Sequence, residues 1–179
     1  GKGTVNFGQK PFKFPPPAGF QPLNAANVKP ETVITRPDQF VSAVLWTGNS
    51  TARKIVTNNA PDFVWTKLRN TDNNHNLFDS VRGAEKKLRS SSTGSEGTES
   101  GSLTAFNSDG FSIGTTGNLN GSYNYVAWTW KAGGNKNTFN VDDVGYASAA
   151  DAGLDSGTIT PTGASVGTKQ GFSIIKYTG

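Results

Sequence analysis

Short alternating segments separated by clusters of Gly, Asn, Asp and Ser run through this chain, and nowhere does a three-four apolar spacing persist over three helical turns. A polypeptide patterned in this way builds its core from many short antiparallel strands. Phe63 to Arg69 starts apolar and then alternates, which puts Trp65 on the opposite face from Val64 and Leu68. Asn76 to Arg82 reads as a second strand, turned by Gly83-Ala84-Glu85 into a third over Lys86 to Ser91. The rival reading, a helix over Ser80 to Leu88, has Gly83 at its middle and only a weak apolar face. Leu103 to Asn107 and Phe111 to Gly114 flank Ser108-Asp109-Gly110, whose Asp and Gly supply hairpin chemistry. In Tyr123 to Lys131, Val126, Trp128 and Trp130 share one face, and Tyr123, Tyr125 and Thr129 the other. Bulk on both faces predicts a central strand covered on each side. The fold class implied is all-β, an antiparallel β-sandwich with few or no helices.

Hydrophobic residues make up 34% of the chain and glycines number 22, so the core must be thin and rely on the eleven Phe and four Trp. Trp46, Trp65, Trp128 and Trp130 all fall within strand patterns and are expected in that core, although each is also a conceivable sugar platform. The absence of Cys removes disulfides, thiolate metal sites and thiol nucleophiles together. The absence of Met predicts a fragment or a processed product. A net charge of +4 is mild. The densest basic cluster, Lys86, Lys87 and Arg89 with Arg82 nearby, has no interleaved aromatic residues and reads as a solvated face rather than a nucleic-acid site. The longest apolar run, Phe40 to Trp46, contains Ser42 and is too short to insert in a membrane.

Candidate chemistry is sparse. His75, the single histidine, sits among Asn73, Asn74 and Asn76 and reads as a turn residue rather than a member of a triad or a zinc ligand. Asp62, Asp79, Glu85, Glu96 and Glu99 are the carboxylates available for glycoside hydrolysis, but Asp79, next to Arg82, is better explained by an ion pair or a strand-edge role. Glu96 and Glu99 lie in the polar stretch Ser90 to Ser102, expected to be an exposed loop. No catalytic residues are assigned, and no enzyme activity is expected. Asp142 and Asp143 are the calcium candidates, with Asp151 and Asp155 downstream, although their spacing fits no calcium loop and favours a structural turn. If a sugar binds, the loop bearing Asn118, Asn120, Tyr123 and Asn124 offers the best residues, because loops at a sandwich rim carry binding function.

Pro15-Pro16-Pro17 predicts an extended segment and marks a boundary. Ala43-Val44-Leu45-Trp46-Thr47-Gly48 is echoed in Ser173-Ile174-Ile175-Lys176-Tyr177-Thr178-Gly179, with Trp46 and Tyr177 separated by 177 − 46 = 131 residues. The echo predicts that one module closes before the end and that the first strand of another succeeds it.

Longer motifs resemble known families. Gly3 to Phe12, followed by Pro17-Ala18-Gly19-Phe20, resembles the closing strand of a SPRY-type β-sandwich. PDFVWTKLRN (Pro61 to Asn70), LFDSVRGA (Leu77 to Ala84), LTAFNSDGFSIG (Leu103 to Gly114) and YVAWTWKAGG (Tyr125 to Gly134) resemble, in that order, a module of phage tail-fibre and structural proteins common in phages of marine bacteria. Ile34-Thr35-Arg36-Pro37 departs from the acidic or Gly-rich linkers of that family. The resemblance implies a concanavalin-like, laminin-G-like or jelly-roll sandwich and no chemistry. It divides the chain into a SPRY-like end over 1–24, a linker over 25–39, a central sandwich over 40–134, and a joint with the first strand of a following repeat over 135–179. It implies a virion location on tail or fibre, extracellular when released, and partners that are other virion proteins or copies of the same chain. Host surface glycans are the alternative partner, and capsid decoration the alternative role.

Overall fold

The computed structural model describes Phe14, Pro17, Ala18 and residues 36–178. The chain divides into two units, Gly1–Val33 and Ile34–Gly179, and the strands of the described residues all belong to the second. The expected SPRY-like end and linker fall outside the described residues, apart from Phe14, Pro17, Ala18 and 36–39.

In chain order the strands begin with Val41–Thr47 (β1), Arg53–Val56 (β2), Phe63–Leu68 (β3), Asn76–Asp79 (β4), Lys86–Lys87 (β5), Gly97–Thr98 (β6) and Leu103–Asn107 (β7). Gly110–Ile113 (β8), Asn124–Trp130 (β9), Phe139–Val141 (β10), Val144–Tyr146 (β11), Gly163–Gly167 (β12) and Phe172–Lys176 (β13) complete them. Helical structure among the described residues is confined to a 3-10 turn at Pro37–Gln39 and one α-helical turn at Gly117–Asn120. The protein is all-β. Residues 80–85 turn instead of coiling into the first part of a helix, with Gly83 at φ 100° and Glu85 at φ 65°. The strand that follows, Lys86–Lys87, is two residues long rather than the six expected.

A four-stranded sheet in the order β1-β9-β3-β4 packs on a three-stranded sheet in the order β2-β8-β7. Val64, Phe78 and Ala127 of the first sheet meet Ile55, Leu103, Phe111 and Ile113 of the second in one buried cluster, sealed by Leu119. Burying each large member stabilises the fold by about 1.5–3 kcal/mol. Trp46 closes one side of this cluster, stacked on Tyr125 at 5.2 Å and edge-on to Phe111 at 5.9 Å. Its indole N–H donates to Leu119 O at 3.0 Å, so the core reading of Trp46 holds.

The β7–β8 hairpin is closed by Ser108 and Asp109, with Asn107 opposite Gly110. Gly110 is required there. Its φ is +148°, and a Cβ on it would lie 2.1 Å from Ile55 O in the adjoining strand.

A third sheet, in the order β11-β10-β12-β13, has its own small core of Phe139, Ala149 and Ala164. It contains a parallel pair, β10 with β12, in an otherwise antiparallel architecture. The sequence reading gives 135–179 to a joint and the first strand of a following repeat; within that segment β13 pairs along its full length with β12. Its Phe172 ring stacks on Trp130 at 6.1 Å and lies 5.9 Å from Phe63. The Phe172 side chain needs an apolar cover, and the outer face of the four-stranded sheet supplies one. The join is tight: a Cβ on Gly133 would sit 2.4 Å from the Val166 backbone.

Candidate functional site

β9 is central, as its pattern predicts, but its two faces differ in cover. Tyr125, Ala127 and Thr129 point into the sandwich and are fully buried. Val126, Trp128 and Trp130 point outward. Directly opposite them lie Leu45, Ala43 and Val41 on β1, and Lys67, Trp65 and Phe63 on β3. Paired residues in antiparallel strands share a face, so these nine form one outer surface. Phe172 covers the Phe63–Trp130 end. The remainder is open: Val41, Leu45 and Trp128 are exposed, Trp128 by 38%. The expectation that Trp65, Trp128 and Trp130 are core residues is corrected, because Trp65 and Trp130 are half-buried and Trp128 exposed.

On this face Trp65, His75, Trp128 and Trp130 line a cavity of about 270 Å³. The Trp65 and Trp128 rings meet edge to face at 6.1 Å and 69°. Trp65 is also edge-on to His75, and its indole N–H donates to His75 Nδ1 at 2.9 Å. That bond makes Nδ1 an acceptor, so the imidazole is neutral and carries its proton on Nε2. His75 is therefore part of an aromatic wall. The loop that carries it is tied down: its backbone N–H donates to Ser91 Oγ, whose hydroxyl donates to Asn74 Oδ1. No run of residues around His75 signals this role, since its ring partner is ten residues away on the neighbouring strand.

The sequence candidates distribute unevenly. Asn120 is fully buried; its amide donates to Thr51 O and Gly114 O, each at 2.7 Å, and its Oδ1 accepts from Asn49 N. Asn120 is thus a structural tie, not a binding residue. Asn118 donates to Glu99 and accepts from Asn73, two residues before His75. Tyr123 is 44% exposed beside the start of β9. Asn124 shares the outer face with Trp128 and accepts from the Thr47 hydroxyl at 3.0 Å.

Asp142 and Asp143 form the two-residue turn between β10 and β11, at φ 47° and 69°. Their carboxylates are engaged. Asp142 accepts from Thr168 N and Oγ1, and the Thr168 hydroxyl is the main cause that holds its carboxyl below the usual range. Asp143 accepts from Lys131 Nζ at 2.5 Å. Among the described residues no group of three or more His, Cys, Asp or Glu side chains converges as a metal site. A polar cleft of about 320 Å³ lies beside this turn, but Lys131 is paired with Asp143 and the Gln170 amide donates to Lys131 O and Ala132 O.

The other carboxylates are likewise committed. Asp79 binds Arg82 at 2.5 Å, as expected, with Glu96 3.5 Å from the same guanidinium. Lys87 is buried and paired with Glu99. The basic cluster is therefore only in part a solvated face: Arg89 is exposed and Lys86 half-buried, whereas Arg82 is held by Asp79 and Glu96 and Lys87 by Glu99. The polar stretch 90–102 is exposed over 90–96 but ends in a fully buried Ser102. Glu85 accepts from Gly101 N at 2.6 Å. Asp62, 2% exposed, accepts from Ala132 N, Gly134 N and the Ser80 hydroxyl.

A family model described as Domain of unknown function (DUF7483) matches residues 36–179. The chain belongs to that family. The DUF7483 match takes in the sandwich, the aromatic cavity and the third sheet together. Comparison with curated proteins and with solved structures gives no match.

Proposed function

We propose that this DUF7483 domain is a structural and adhesive module of a phage virion surface protein, a tail fibre or tail-associated protein, that attaches to the host through the outer face of its four-stranded sheet. One observation carries the adhesive part. A sheet face bearing Trp65, Trp128, Val41 and Leu45 is left open among the described residues, beside a region where Phe172 covers the same face. Contiguous apolar surface of this kind marks a place of contact in a folded domain. Support for the virion setting comes from the ordered resemblance of the four strand motifs to phage tail modules.

Carbohydrate recognition is the form of attachment that the site favours, because aromatic rings and half-buried polar edges meet in one shallow cavity. Gold-labelled antibody against the domain, applied to particles that encode it, tests the proposal. Labelling at the tail or fibre is expected, together with competition between the free domain and particles for host cells. Unlabelled particles, or adsorption that excess domain leaves unchanged, would remove the reading.

A further inference from the structure

We infer that Trp65, His75 and Trp128 form a subsite for a single uncharged pyranose ring of a host surface glycan, stacked on Trp128 and hydrogen-bonded by His75 Nε2. The inference rests on the adhesive reading and gives it a ligand class. Size is the first reason. A cavity of about 270 Å³ lies just below the roughly 300–1,000 Å³ of pockets that take drug-sized ligands, and so admits one small ring.

Shape is the second reason. Trp65 stands at 69° to Trp128, so the two indoles make a corner: one offers a face, the other an edge. A pyranose chair with axial C–H bonds on one side can lie against the first and abut the second, gaining dispersion and contact with the negative π face.

Charge is the third. None of the four lining side chains carries a charge, because His75 accepts at Nδ1 and is neutral. Lys67 shares the sheet face, but its ammonium donates to Leu68 O at 2.7 Å and Thr71 O at 3.4 Å. With an ammonium on the face and no carboxylate in the lining, a cationic ligand is disfavoured. Trp rings alone would also suit a quaternary ammonium group, and charge decides against it.

The last reason is the donor. Trp65 N–H fixes His75 through Nδ1, which leaves Nε2–H without a partner among the described residues, on a half-buried ring at the cavity edge. A fixed, unspent donor beside an aromatic floor matches a hydroxyl on the rim of a sugar ring. Asn73 and Asn118, joined to each other at 3.4 Å, continue the polar edge beyond it.

The test uses the whole chain, methyl glycosides of glucose, galactose, mannose and N-acetylglucosamine, and tetramethylammonium chloride as the cationic control. Heteronuclear NMR reads the indole N–H signals. Saturable movement of the Trp65 and Trp128 signals with at least one glycoside is expected, while that of Trp46, held by Leu119 O in the core, stays in place. Trp128→Ala should weaken binding about tenfold, as loss of one stacking platform does. His75→Phe, which keeps a ring and removes the donor, should weaken it roughly fivefold.

The inference is overturned if no glycoside moves these signals, if movement occurs only with tetramethylammonium, or if binding survives Trp128→Ala. It is overturned as well if sedimentation shows a Trp128-dependent dimer in place of sugar binding. The native-protein spectra decide the matter even if a variant fails to fold. Host cells bound equally by wild type and Trp128→Ala would leave the adhesive reading standing and remove this one.

Discussion

Replacing Asp62 separates two effects that coincide in the native protein: a buried charge, and the hydrogen bonds that hold it. The carboxylate accepts from Ala132 N at 2.8 Å, Gly134 N at 3.0 Å and Ser80 Oγ at 2.9 Å. It thereby pins the segment after β9 to the β3–β4 hairpin. Asp62→Ala leaves two backbone donors unmatched, at about 1–3 kcal/mol each, so the loss should be about 2–6 kcal/mol. Asp62→Asn keeps the acceptor for both N–H groups and can donate to the Ser80 oxygen. It should cost about 1 kcal/mol or less at neutral pH, or stabilise the domain.

The two variants also differ from wild type in pH dependence. Burial, the largest cause, pushes the Asp62 carboxyl above its ordinary value against the lowering effect of Ala132, Gly134, Ser80 and the Lys131 charge. The folded state therefore holds this proton more tightly than the unfolded chain does. As pH rises from the unfolded carboxylate value, near about 4, to the higher folded one, wild-type stability falls through this group. Below the window the cost is absent, and above it the cost is constant. Urea unfolding across that window checks the claim: the Asn variant should gain on wild type as pH rises and then run parallel. A loss of under about 1 kcal/mol in Asp62→Ala, or a constant difference between Asp and Asn at every pH, would refute the reasoning.

Trp128→Ala should cost about 1–2 kcal/mol because the ring is 38% exposed, whereas Phe78→Ala, with none of its surface exposed, should cost about 3–5; equal shifts in denaturant midpoint would contradict the assignment of faces. Asn120→Ala should lower stability by about 2–4 kcal/mol, since it orphans the Thr51 and Gly114 carbonyls and Asn49 N–H, and chemical denaturation measures this. Removing residues 172–179 should destabilise the domain and shift tryptophan emission to the red as Trp130 loses Phe172; an unchanged midpoint and spectrum would show that β13 is dispensable.

Strand parity is legible in the sequence, and the sign of each face is not. Val64 and Leu68 share one face of β3 and Trp65 the other, as the alternation implies. The bulk of tryptophan argues for placing its face inside, yet the better guides are its companions: Lys67 has the parity of Trp65, and Asn124 that of Trp128. A strand row that contains an ammonium or an amide usually faces water. The Asp79–Arg82 pair is readable because its members are three residues apart. The Lys87–Glu99 pair is not, because β5 and β6 meet only through tertiary pairing. The role of β13 is hidden for the same reason: its pattern is that of any short strand, and only β12 and the Trp130 ring determine where it goes. His75 escapes a sequence reading because a polar neighbourhood along the chain conceals an aromatic one in space.

The order in which the strands meet has a consequence for synthesis. β1 is at the start of the described sandwich, yet Val41 pairs with Trp130, 130 − 41 = 89 residues later. At about 5–20 residues per second, a ribosome delivers that partner roughly 5–20 seconds after β1 emerges. The hairpins β3–β4 and β7–β8 can close in this interval, but β1 waits with both edges unpaired and with Val41, Ala43 and Leu45 uncovered. Non-local pairing of this kind is slow to form and exposes nascent chains to sticking together. Yield in cells should therefore respond more to translation speed and to chaperones that hold extended apolar segments than to the stability of the finished domain.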